Sequence, residues 1–164
     1  MKQLLLIRHA KSDWNNLALD DFDRPLNKRG NRDAPEMAER LLAGHMVPQL
    51  LVSSPALRAL STARHFAEVF NISDLDILTE QKIYEASVET LLQLINKFDN
   101  RNNFIALFGH NPGITNLVAY LCDANIYDMP TCALSLIEFP LEDWAQISAN
   151  TGDQTFYDFP KNED

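Results

Sequence analysis

The sequence predicts an α/β protein: a three-layer α/β/α sandwich with a mostly parallel central sheet and an antiparallel edge strand. Three observations carry that expectation. Strand-like and helix-like segments alternate along the chain. The runs Leu4-Leu5-Leu6-Ile7 and Phe104-Ile105-Ala106-Leu107-Phe108 are apolar at every position, as in strands buried on both faces. Residues 133–159 then alternate like β structure and suit one or two edge strands. A length of 164 residues fits a single domain, 1–164, with one sizeable core.

The elements follow in order. A first strand covers residues 3–8, and a polar loop rich in Asp and Asn runs to about residue 26. A helix over residues 27–45 presents Met37, Leu41 and Leu42, with Ala34 and Ala38 adjoining, at three- and four-residue spacing. The strand Gln49-Leu50-Leu51-Val52 ends in Ser53-Ser54-Pro55, where Ser54 can cap a helix that begins at Pro55. That helix turns Ala59, Ala63, Phe66 or Ala67, and Phe70 inward. A short strand near residues 76–78 leads to a loop through Tyr84 and Glu85. A helix with Leu91, Leu92, Leu94, Ile95 and Phe98 follows. After the strand at 104–108 and Gly109-His110-Asn111-Pro112-Gly113 comes a helix with Ile114, Leu117, Val118 and Leu121. Residues 161–164 are expected to fray.

Charge and composition exclude several classes. The net charge of -9 argues against nucleic acid or an anionic membrane as a partner. No run of about 18 apolar residues occurs, so no transmembrane helix is expected. Met1-Lys2-Gln3 leads straight into a strand without a small-residue cleavage site, and a cytoplasmic location is expected. Cys122 and Cys132 have no CxxC spacing and are assigned a reduced, structural role. An acidic protein that handles an anion must gather its few cations in one pocket.

The strand ends indicate where. Open α/β sheets bind ligands at the carboxyl ends of their strands. Arg8 and His9 follow the first strand, pairing an anion clamp with a nitrogen nucleophile or base. His110 repeats the pattern after the strand at 104–108. Gly109 allows close backbone approach, and Pro112-Gly113 opens a helix whose free amides favour an anion. Parallel strands bring both histidines to one sheet edge. Arg58 lies one turn into its helix, and helical side chains lean toward the amino end, so it points to that same edge. Arg64 reads as a solvated helix residue, and His45 and His65 as structural histidines, His45 at a helix carboxyl end.

These residues resemble a known family. Arg8-His9-Ala10-Lys11-Ser12-Asp13-Trp14-Asn15 is similar to the opening motif of the histidine phosphatase, or phosphoglycerate-mutase-like, superfamily. The resemblance is strongest to its small SixA-type phosphohistidine phosphatase branch. Asp21-Phe22-Asp23-Arg24-Pro25-Leu26-Asn27 with Arg29-Gly30 looks like that branch's D-x-x-R-P-L segment. Ser53-Ser54-Pro55-Ala56-Leu57-Arg58-Ala59 with Thr62-Ala63 looks like its second arginine motif. Ile83-Tyr84-Glu85-Ala86 and Gly109-His110-Asn111-Pro112-Gly113 complete the order. Ala10 stands where many relatives have Gly, and Lys11 where mutase-like members often carry Gln or Glu. The long insertions that enclose a sugar or glycerate in larger relatives are missing, which implies a broad, open pocket.

The resemblance implies a covalent phosphohistidine intermediate on His9, with Arg8, Arg58 and His110 neutralising the phosphoryl oxygens. No metal and no other cofactor is implied. Glu85 aligns with the family's usual acidic position, with a solvated loop carboxylate as the alternative reading, and Asp21 is a second candidate acid. Arg24 either holds Asp21 or reaches the phosphate. Ser12 and Asn15 either donate to phosphoryl oxygens or cap the loop. Trp14 is assigned to packing beneath that loop. Three functions follow: a phosphatase for phosphohistidine on a phosphorelay or phosphotransfer protein, a phosphatase for a small phosphate ester, or a phospho-binding module without turnover. Retention of both histidines and both arginines counts against the third.

Overall fold

The computed structural model describes residues 1–163. Six strands form one sheet in the order β3-β2-β4-β1-β5-β6: β1 (Lys2–Arg8), β2 (Leu50–Ser53), β3 (Leu78–Thr79), β4 (Phe104–Gly109), β5 (Leu134–Phe139) and β6 (Asp153–Asp158). β1, β2, β3 and β4 run parallel to one another, whereas β5 runs antiparallel to both β1 and β6. α1 (Lys28–Ala43) connects β1 to β2, α2 (Leu57–Phe70) connects β2 to β3, α3 (Val88–Ile95) connects β3 to β4, and α4 (Gly113–Leu121) follows β4.

Alternation along β1 divides the core into two layers. Leu5 and Ile7 pack with Met37 and Leu41 of α1 and Ala63 and Phe66 of α2. Leu4 and Leu6 pack on the other face with Leu91 and Ile95 of α3 and Leu117 and Val118 of α4. All four β1 residues are fully buried, and each contributes on the order of 1.5–3 kcal/mol of apolar burial. A strand covered by helices on both faces therefore needs an unbroken apolar run.

Local signals hold in part. Asn27 caps α1, its side chain accepting from Gly30 N at 2.9 Å. Ser54 does not cap α2: that helix starts at Leu57 after Ala56, and Ser54 Oγ instead accepts from Ala56 N at 3.2 Å. Pro55 lies in the turn before the helix, so the cap is replaced by a tight bend held by Ser54. α1 ends at Ala43, leaving His45 outside it in a left-handed conformation (φ 57°). Leu42 is exposed, because α1 turns a narrower stripe toward α2 and the sheet than its apolar spacing predicts. Pro160–Glu163 forms a 3-10 turn, and the last residue of the expected frayed tail, Asp164, lies outside the described residues. Both cysteines are free and buried.

Register sets the site. Arg8 pairs with Gly109 across β1 and β4, so His9 and His110 leave the sheet at the same level. Ser53 pairs with Phe108, which brings Ser54 to that edge as well.

Candidate active site

His9 is buried, and its Nδ1 lies 2.7 Å from the carbonyl oxygen of Ala10. A carbonyl only accepts, so Nδ1 carries the proton and Nε2 keeps its lone pair. The backbone is fixed on both sides: His9 N donates to Gly109 O at 3.0 Å, and Ala10 N donates to Thr62 Oγ1 at 3.0 Å. Thr62 in turn donates to the Arg58 carbonyl at 2.7 Å, linking the histidine loop to α2. Burial pushes the His9 pKa down to about 3, with the neighbouring His110, Arg58 and Arg8 adding to the effect and the Ala10 contact opposing it. The imidazole is therefore neutral at physiological pH.

His110 sits beside it, the two ring centroids 5.2 Å apart. Its Nε2 lies 2.8 Å from Ser54 Oγ, while its Nδ1 is buried and has no protein hydrogen-bond partner. Burial first, and then the neighbouring Arg58, lower its pKa to about 4.

The guanidinium groups are held by two sets of acceptors, the Met129 carbonyl for Arg8 and Asp21 for Arg24 and Arg58. Arg8 Nη1 donates to the carbonyl of Met129 at 2.8 Å. Arg58 donates through Nη1 to the Asp21 carbonyl at 2.6 Å and through Nη2 to Asp21 Oδ2 at 2.9 Å. The Nε groups of Arg8 and Arg58 are buried without a protein acceptor. Arg24 donates to Ser12 Oγ at 2.6 Å and, through Nε and Nη2, to Asp21 Oδ1 at 3.2 and 3.0 Å. Asp21 is thus a hub, and it also accepts from the Tyr84 hydroxyl at 2.6 Å. Burial acts to raise its pKa, but the hydrogen bonds from Tyr84, Arg58 and Arg24 outweigh that and hold the carboxyl well below its usual range. The same bond to Asp21 pushes the Tyr84 hydroxyl up to about 12.

These groups surround a cavity of about 190 Å3 at the carboxyl edge of the sheet. Of the residues expected from the sequence, Arg8, His9, Ser12, Arg24, Arg58 and His110 line it. Asp21 binds Arg24 and Arg58 from outside the lining. Asn15 is exposed and its backbone N–H donates to Asp13 Oδ1 at 2.8 Å, outside the lining. Glu85 is exposed in a left-handed backbone conformation (φ 55°) and also lies outside the lining. It follows Tyr84, whose ring packs edge-on to His110 at 5.5 Å.

Four lining residues were not assigned to the site from the sequence: Lys11, Trp14, Asn111 and Thr131. Lys11 and Asn111 stand inside the two histidine motifs, and that membership is the signal that could have found them. Thr131 had none, because it arrives on a loop far along the chain. Trp14 corrects the packing assignment. It is 62% exposed, and the Arg24 guanidinium stacks over its ring at 3.4 Å. The loop is too polar to offer an apolar bed, so the indole uses a cation instead.

A wider cleft of about 540 Å3 along α1 and α2, lined by Asn31, His65 and Glu68, gathers no such set of cations. His65 Nε2 there lies 2.9 Å from Asn31 Oδ1. Among the described residues no group of three or more His, Cys, Asp or Glu is arranged to hold a metal ion, and no helix is long and apolar enough to cross a membrane.

A neutral, oriented imidazole beside a second histidine and three arginines defines a protein built to handle a phosphoryl group, on a sheet whose strand ends converge on the site. The chain belongs to the histidine phosphatase superfamily (branch 1), whose family model matches residues 4–94. It is 31% identical over 92% of its length to an uncharacterised chloroplastic protein of Arabidopsis thaliana, covering 72% of that protein. It is 34% identical over 52% of its length to phosphoserine phosphatase 1 of Hydrogenobacter thermophilus, covering 39% of that enzyme. Among solved structures, SixA of Agrobacterium tumefaciens, proposed to be a phosphohistidine phosphatase, superposes with a TM-score of 0.83 at 26% identity, covering 97% of this chain and 98% of that one. These likenesses identify a SixA-type member of the superfamily and a phosphatase.

Proposed function

We propose that the chain is a metal-independent phosphatase that removes phosphate from phosphohistidine on a phosphotransfer protein, through a phosphohistidine formed on His9. The observation that carries this reading is the His9 Nδ1 to Ala10 O contact at 2.7 Å. It leaves Nε2 unprotonated beside a cavity of cations. In the first step the Nε2 lone pair forms a bond to phosphorus, and the bond from phosphorus to the leaving imidazole breaks. The leaving nitrogen takes a proton. Arg8, Arg58 and His110 bear on the equatorial oxygens, where positioning and charge account for most of the rate. Water then attacks phosphorus, releasing phosphate and restoring His9.

Asp21 is held ionised by three donors, which makes it a poor proton donor near neutral pH. Asp21 acts instead as the anchor of Arg24 and Arg58, and Glu85, outside the cavity lining, keeps the acid role only as what the family resemblance implies. The small, solvent-facing cavity favours a phosphoryl group presented on another protein, and the likeness to SixA supports the same choice. A small phosphate ester is the second reading, favoured by the phosphoserine phosphatase likeness.

The deciding experiment is phosphate release in EDTA from a histidine-phosphorylated transfer domain and from a panel of small phosphate esters, with His9→Ala alongside. Fast release from the phosphoprotein, slow release from the esters and no release by the variant is the expected result. Preference for an ester moves the assignment to the second reading. Activity that survives His9→Ala, or that EDTA abolishes, overturns the mechanism.

A further inference from the structure

The 190 Å3 cavity has room for a phosphoryl group and little more, so the body of any substrate lies on its rim. That rim is formed by two loops. The first, residues 13–20, is tied to the site at both ends: Trp14 stacks on Arg24, and Asp21 binds Arg24 and Arg58. The second, residues 123–131, is tied to the site as well: the Met129 carbonyl accepts from Arg8, Asp128 accepts from Asn111 Nδ2 at 2.8 Å, and Thr131 lines the cavity.

Between these anchors both loops turn large apolar side chains to solvent. Leu17 is 93% exposed and Tyr127 87%; Trp14 and Leu19 are exposed as well. Four of the nine exposed large hydrophobic residues among the described residues therefore stand on the two loops that bracket one small cavity. Scattered apolar residues on a surface need no explanation, but a concentration around a binding site does. A small polar metabolite offers little apolar surface to such side chains, whereas a protein face can cover them. The same loops carry Asp13, Asp20, Asp123 and Asp128, on a chain of net charge -9.

We propose that Leu17 and Tyr127 form the two arms of a docking surface for a phosphoprotein whose phosphorylated side chain projects from a face with apolar neighbours and basic flanks. This rests on the phosphoprotein reading above and names how that partner is held. Apolar arms supply contact area that excludes water around the phosphoryl group, and the acidic loops select against partners with acidic flanks. Trp14 joins the arm to the cavity.

The test compares two probes, a histidine-phosphorylated transfer domain and phosphoimidazole, which has the same scissile bond without a protein surface. Leu17→Ala, Tyr127→Ala and the double variant are measured for kcat/KM on each. Both side chains are exposed and lie outside the catalytic set, so phosphoimidazole turnover reports on folding and chemistry. The expected result is a loss of about tenfold or more on the phosphoprotein for the double variant, carried mainly by KM, with phosphoimidazole turnover within about twofold of wild type. Unchanged phosphoprotein turnover overturns the docking surface and leaves the phosphatase reading standing. Equal losses on both probes also overturn it, because they report a general structural defect. A wild-type protein that prefers small esters and ignores the phosphoprotein removes the underlying reading and the surface with it.

Discussion

Asp21 Oδ2 lies 2.9 Å from Arg58 Nη2, and the Asp21 carbonyl accepts from Arg58 Nη1 at 2.6 Å. One residue of the polar loop thus fixes a guanidinium that enters from α2. Because the same carboxylate also holds Arg24 and Tyr84, the cavity's cationic wall is set by an anion standing outside it.

Replacing that anion has two readable effects. Asp21→Asn is expected to lower kcat/KM by about tenfold, equivalent to roughly 1.4 kcal/mol, because Arg24 and Arg58 lose a charged acceptor. It is also expected to bring the Tyr84 hydroxyl down from about 12 toward the ordinary value near 10. A tyrosine titration followed by NMR checks the second effect, and an unmoved Tyr84 would show that the carboxylate is not its controlling partner.

His9→Ala removes the proposed nucleophile and is expected to cost about 10^4-fold or more in kcat. Acid-labile phosphate trapped on wild-type protein after rapid quenching, and missing from the variant, identifies the intermediate. Trapping on a different histidine would reassign the nucleophile.

The paired histidines make stability depend on pH. Their folded-state values, about 3 for His9 and about 4 for His110, lie below the unfolded value of about 6.5. Between those limits the unfolded chain binds more protons than the folded one, so stability rises with pH. The contribution is fully present above about pH 6.5 and is lost as pH falls toward 4 to 3. Urea midpoints should therefore decline from pH 7 to about pH 5.5, a window above the range in which carboxylates such as Asp21 mostly titrate in the unfolded chain. A His9→Asn, His110→Asn double variant should flatten that slope; an unchanged slope would mean that other groups carry it.

Gly30→Ala runs against helix propensity. A Cβ at position 30 would come within 2.2 Å of the Lys11 carbonyl oxygen, a backbone atom held where the active-site loop crosses α1. The variant is expected to lose about 1–3 kcal/mol despite the better helix former, as overpacked sites do. A thermal midpoint equal to or above that of wild type would show that the loop can move aside without cost.

Much of the fold was legible because burial on both faces leaves a plain mark: the apolar runs of β1 and β4 have few other uses in a soluble chain. His9, His110 and Arg58 were legible for a related reason, since strand ends and the first turns of following helices sit at one edge of a parallel sheet. Trp14 and Thr131 were not. Whether an indole packs beneath a loop or stacks on a guanidinium depends on what the loop finds when the chain closes. Thr131 reaches the cavity only because β5 pairs with β1 and draws the preceding loop over Arg8. Ser54 illustrates the same point, since its hydroxyl meets His110 across two strands instead of capping α2.

The sequence by itself determined the layered α/β class, the two strand-end histidines and the basic residues that accompany them, because these follow from local periodicity and from the geometry of parallel strands. Only the tertiary structure decided which nitrogen of His9 is left free, that Asp21 anchors two arginines, and that Trp14 and Thr131 line one cavity. Those relations join residues distant in the chain, and their energies come from hydrogen bonds and burial that exist only once the sheet has set its register.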